Sequence, residues 1–122
     1  MDKIELQNGL KEFERDNKSS GICYVNTKSG RVEMKFGSSQ IMKKMEKVIL
    51  RNQGYKNINS QFNSLFYKRE IPELIHVKTR SESRFIKFMD SHHIILAISE
   101  AEEINYAKIK IQLSQILFNK DD

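Results

Sequence analysis

Few residues in this chain are of types that do chemistry: one cysteine, three histidines, scattered carboxylates and a run of lysines. Cys23 lies in the apolar run GICYV with no histidine or cationic cluster beside it to stabilise a thiolate, so it reads as core packing. His92 and His93 are adjacent in a turn, and neighbouring side chains on extended backbone diverge, which is poor geometry for shared metal ligation. His76 sits on a strand-like run with no identifiable companion. The sequence holds no phosphate-binding loop, dinucleotide glycine pattern, GxSxG elbow, HExxH or paired-cysteine zinc spacing. Neither catalysis nor a cofactor or metal is expected.

The lysines carry more information. In SSQIMKKMEKVILRNQ the residues Ile41, Met42, Met45, Val48 and Ile49 form one helical stripe, while Lys43, Lys47 and Arg51 line the opposite side with Lys44 beside them. The net charge of +5 is uneven: residues 17–99 hold 15 Lys or Arg against 6 Asp or Glu, whereas 1–16 and 100–122 each hold 3 basic against 5 acidic residues. Such a field attracts nucleic acid, anionic lipid or an acidic protein, and a merely solvated face competes with all three. Nucleic acid would call for exposed aromatics among the cations, yet Phe36, Phe85 and Phe88 fall where a core needs them. An acidic protein partner is the better functional reading.

The elements that position these residues form a definite order. Asp2 with Glu5 resembles a capping box, and Leu6, Leu10 and Phe13 at helical spacing predict a helix over 3–16, weakened by Gly9. An apolar strand at 22–25, the loop NTKSG and an alternating strand at 31–36 read as a hairpin, buried on both faces and half wet respectively. A helix over 39–53 follows, capped by Ser38 or Ser39 and stopped by Gly54. Residues 55–71 mix turn formers with Phe62, Leu65, Phe66 and Tyr67 and leave loop and strand extension open. Three strands at 74–79, 84–89 and 93–98 close the sheet, and HIILAI is so apolar that its strand must be central. The 22–25 strand is then its inner neighbour and the 31–36 and 74–79 strands are edges, giving the order 2-1-5-4-3.

The last segment pulls two ways. AKIKIQL alternates like a strand, but Ser99 with Glu102 forms an S-x-x-E box and no Gly or Pro intervenes before Asn119, so a helix is expected. Ile104, Ala107, Ile111 and Phe118 share the side assigned to the sheet; Tyr106, Ile109, Leu113, Ile116 and Leu117 share the side left for another contact.

The expected class is thus α/β (α+β): one antiparallel five-stranded sheet with helices on both faces, in a single domain spanning 1–122. With one cysteine, no disulfide within the chain and no apolar run of signal-peptide length, the cytosol is the expected compartment.

The order helix, two strands, helix, three strands, helix resembles the Roadblock family of dynein light chains and GTPase-associated scaffolds, within the profilin-like and longin-like group. GICYVNTKSGRV is similar to that family's first strand, polar turn, glycine and second strand, and ELIHVKTRSESRFIKFMDSHHIILAIS to its last three strands. The resemblance implies a dimer whose third strands pair edge to edge while the second helices pack together. On this sequence it carries to Leu74, Ile75, His76 and Val77, and to Ile41, Met42, Met45 and Ile49. It further implies a non-catalytic scaffold, homodimeric or heterodimeric, that binds or regulates a small Ras-like GTPase; the charge pattern itself offers Lys43, Lys44, Lys47 and Arg51 as the partner-binding stripe. The alternatives are a profilin-like cytoskeletal module or a basic nucleic-acid-binding domain. The lack of Trp speaks against a profilin-like proline-peptide groove.

Overall fold

The computed structural model describes residues 3–52, 74–90 and 92–116, apart from the side chains of 48–52. The elements run α1 (Lys3–Asp16), β1 (Ser20–Asn26), β2 (Val32–Phe36), α2 (Ser39–Asn52), β3 (Leu74–Lys78), β4 (Ser83–Asp90), β5 (His93–Ser99) and α3 (Tyr106–Gln115). All five strands form one antiparallel sheet in the order β2-β1-β5-β4-β3. The expected architecture is therefore present, with strand ends moved by a residue or two. The Asp2 cap, the Gly54 stop and the segment 55–71 lie outside the described residues.

Burial explains the order. Strand β5 shows a single partly exposed residue, His93, followed by six buried ones, and its register against β1 runs unbroken from Ser20↔Ser99 to Asn26↔His93. On one side Ile95 and Ala97 join Leu6, Leu10 and Phe13 of α1 and Ile109 and Leu113 of α3 in a common core. On the other, Leu96 and Ile98 pack with Cys23, Val25 and Ile41, Met42 and Met45 of α2.

Two glycines permit close approach. A Cβ on Gly9 would lie 3.2 Å from Cγ1 of Ile116, so the residue that weakens α1 as an isolated helix lets it meet the end of α3. Gly37, at φ 149°, would place a Cβ 2.9 Å from Cα of Gly21, where α2 begins against the hairpin. The Ser38 hydroxyl accepts from the Ile41 N–H at 3.2 Å, which makes Ser38 the cap of α2. In the hairpin loop the Asn26 carboxamide oxygen accepts from the N–H groups of Lys28 and Ser29, and Gly30 takes a positive φ of 78°.

Two expectations for the C-terminal segment fail. Ser99 does not cap a helix; it is the last residue of β5, paired with Ser20 and Ser83, and the Glu100 N–H extends the ladder to the Ser19 carbonyl. Helix α3 starts at Tyr106 with Asn105 as its cap, accepting from the Lys108 N–H at 3.0 Å. The seated side is also the reverse of that expected: Ile109, Leu113 and Ile116 are buried, whereas Ala107 and Ile111 face outward, Ile111 at 58% exposure. Ile104 still packs on the core, but from the connection before the helix. Leu117 and Phe118 lie outside the described residues.

Because Ile95 and Leu96 point to opposite cores, truncating either to Ala should cost about 2–5 kcal/mol through lost burial and a residual cavity. Urea unfolding measures it. A loss below about 1 kcal/mol at both positions, the range of surface substitutions, would contradict this packing.

Candidate interaction surfaces and the ties that position them

The outer side of α2 splits into two kinds of lysine. Lys43 and Lys47 are exposed and have no ion pair among the described residues. Lys44 is drawn inward: its ammonium lies 3.0 Å from Oε1 of Glu82 and 2.7 Å from Oε2 of Glu100. The other oxygen of Glu82 accepts from Nε of Arg84. The expectation that Lys44 belongs to a free stripe thus needs correction, because its charge already ties α2 to the β3–β4 turn and to the exit of β5. The Arg51 side chain lies outside the described residues.

Glu82 is the centre of this tie, with its side chain only 4% exposed. Burial works against its charge, but hydrogen bonds from Arg84 and Lys44 outweigh that and hold its carboxyl below the usual glutamate range. Hydrogen bonds to Glu100 and then Glu82 raise the Lys44 ammonium in turn. The sequence hid Glu82, since a carboxylate in the turn TRSES reads as solvated.

The residues assigned to a dimer interface separate as well. Ile41 and Met45, at 4% and 1% exposure, and Met42 are buried against their own sheet and have little surface left for a partner. The Ile49 side chain lies outside the described residues. Strand β3 differs: Leu74, Ile75 and His76 are half-buried and Val77 is 47% exposed. Among the described residues β3 pairs only with β4, so its other edge carries no strand. His76 stacks on Phe85 and Tyr106.

Strand β4 holds a second buried charge. Lys87, 6% exposed, donates to the carbonyl oxygens of Leu113 and, at 2.6 Å, Ile116, so an ammonium closes the C-terminal end of α3. The alternation in SRFIKFMD already placed Lys87 in phase with Phe85 and Met89 and was the signal to heed.

His93 is tied from both flanks. The register shifts between Tyr24 and Val25 and between Phe88 and Asp90, leaving Glu33 on β2 and Met89 on β4 as extra residues. Asp90 comes to 3.0 Å from Nδ1 of His93 and Glu33 to 3.5 Å from Nε2, while the ring lies flat on Tyr24 at 4.9 Å. Burial, then Asp90 and Glu33, push the Tyr24 hydroxyl up to about 12. This cluster borders a groove of about 530 Å³ that also touches Lys3, Leu6 and Arg31. Its histidine is hydrogen-bonded through Nδ1 to Asp90 and flanked at Nε2 by Glu33, which makes it a strut. Burial likewise pushes the Cys23 thiol up to about 12, so it stays protonated. Among the described residues no group of three or more His, Cys, Asp or Glu is placed to hold a metal, and no helix is long and apolar enough to cross a membrane.

No protein-family model matches the sequence, and no curated protein matches it. The fold is matched closely nonetheless, and it is that of the Roadblock/LC7 domain. Myxococcus xanthus MglB superposes with a TM-score of 0.74 over 95% of this chain and 91% of its own, at 9% identity. A Roadblock/LC7 domain from Streptomyces avermitilis gives 0.71 over 90% and 89%, at 10% identity. An MglB with tetrameric arrangement gives 0.68 over 93% and 82%, at 10% identity.

The Glu82 tie has a pH signature. A carboxyl lowered by folding contributes stability that is complete above its ordinary value near 4.5 and is lost as pH falls through the folded value. The urea midpoint of the wild type should therefore drop below that pH more steeply than that of Glu82→Gln. Parallel curves would remove Glu82 from the balance.

Proposed function

We propose that this chain is a non-catalytic, cytoplasmic, dimeric scaffold that binds and regulates a small Ras-like GTPase. The observation that carries the reading is the Roadblock/LC7 architecture with an apolar edge at β3 and a helix, α2, whose outer lysines, Lys43 and Lys47, are exposed, edge and lysines alike being unpaired among the described residues. The Roadblock resemblance supplies the partner class. Edge pairing of two β3 strands would bury the backbone groups of Leu74–Lys78 and the side chain of Val77. The dimer contact then centres on Leu74, Ile75, His76 and Val77, because Ile41, Met42 and Met45 are buried against their own sheet, and the outer side of α2 stays open to the GTPase.

Light scattering tests the assembly. A dimer is expected at about tens of micromolar, a concentration at which weak interfaces are populated, and Ile75→Lys should be monomeric. A monomeric wild type, or a variant that remains dimeric with equal stability, would overturn the β3 contact. The double variant Lys43→Glu, Lys47→Glu should slow association with the GTPase more than it speeds dissociation and should flatten the salt dependence, with fold and dimer intact. Unchanged kinetics would take both lysines out of the site.

A further inference from the structure

The His76 side chain belongs to a cluster of three rings from different elements. Phe85, its register partner on β4, lies at 4.4 Å and nearly parallel, with 2° between the planes. Tyr106, the first residue of α3, meets His76 at 4.8 Å and 30°, and its ring centroid lies 6.1 Å from that of Phe85. Its Nε2 is buried with no hydrogen-bond partner. The cluster thus joins the edge strand to the start of the C-terminal helix through an imidazole whose buried Nε2 has no acceptor for the proton it would carry in the charged form.

From this geometry we infer that His76 is a proton-sensitive latch: neutral, it seats Tyr106 and the first turn of α3 on the edge strand, and protonated, it releases them. The surrounding charges favour the neutral form. Lys78 shares the face of β3 with His76 and repels an imidazolium, and no carboxylate among the described residues makes an ion pair with it. On β4 the Lys87 ammonium is engaged by the carbonyls of Leu113 and Ile116, and on α3 Lys110 follows Tyr106 by one turn, so neither offers compensation. Burial, then Lys78, lower the affinity of the ring for a proton below that of an ordinary histidine. The sign follows from linkage: the docked state binds fewer protons than the released one, so docking is complete above the ordinary histidine value of about 6.5 and weakens as pH falls below it.

The two ends of α3 should respond differently, because only the first is held by His76 while the last is held by Lys87. Asn105 and Ser99 anchor the connection without any titrating group near neutrality. Acidification therefore frees the N-terminal turn first and uncovers the β3 edge beside it.

The test is amide hydrogen exchange on the full chain, corrected for the intrinsic pH dependence, between about pH 7.5 and about pH 5.5, which brackets the ordinary histidine range. Protection at Ile109 and Lys110 should fall several-fold at the lower pH relative to protection in β5. In His76→Phe, which keeps the ring stack and removes the proton site, it should not fall. An equal loss in both proteins would overturn the latch. If His76→Phe does not fold, the wild-type imidazole followed by NMR decides alone: titration below that of an unfolded histidine, with Tyr106 resonances moving in step, supports the inference. Titration at or above it, or Tyr106 unmoved, overturns it.

Discussion

The constraint on which the rest depends is the apolarity of β5 on both faces. A strand of this kind cannot be an edge or border water, so it must have a strand on each side and a helical layer on each face. Strands β1 and β4 supply the first, and α1 with α3 on one face and α2 on the other supply the second. Antiparallel hairpins then send β2 and β3 outward, which leaves the sheet with two edges of different character. The exposed residues of the β2 edge are both charged, Glu33 and Lys35, whereas those of β3 are Val77 and a single charge, Lys78. Charged edges resist pairing and apolar ones invite it.

Charge placement sharpens the layers that burial creates. Each of two helices is secured by one inward cation, α2 by Lys44 on Glu82 and Glu100, α3 by Lys87 on its own terminal carbonyls. A buried ion needs full pairing to be tolerated, and pairing of this kind selects one arrangement over near alternatives. The consequence reaches the surface: of the three α2 cations whose side chains are described, Lys43 and Lys47 face outward while Lys44 is committed internally. An electrostatic docking face is therefore smaller than composition implies, but it is positioned by a tie to the turn beside β3.

The legible part of the sequence was whatever repeats. Helical spacing at Leu6, Leu10 and Phe13, alternation in β2 and β4, and the unbroken HIILAI run disclosed the elements and, through burial logic, the strand order. Local signals misled where tertiary contacts outweighed them. Ser99 and Glu102 look like a cap, yet Ser99 stays in the ladder because Ser20 and Ser83 flank it, and Asn105 six residues later takes the capping role. The wheel of the last helix shows two apolar sides and cannot say which is seated; the contact between Gly9 and Ile116 and the Lys87 bonds select it. Partner surfaces were least legible of all. An apolar stripe such as Ile41, Met42 and Met45 looks the same whether a sheet or a second subunit covers it, and a lysine looks the same whether free or bonded to a buried glutamate.

The role proposed for this chain is that of a protein-docking scaffold for a small Ras-like GTPase. Recovery of the tagged chain from its native cell at physiological salt, with every retained macromolecule identified, tests it most directly. The expected result is a small Ras-like GTPase held in stoichiometric amount by a dimer of the chain. Retention of RNA or DNA in place of a GTPase would contradict it.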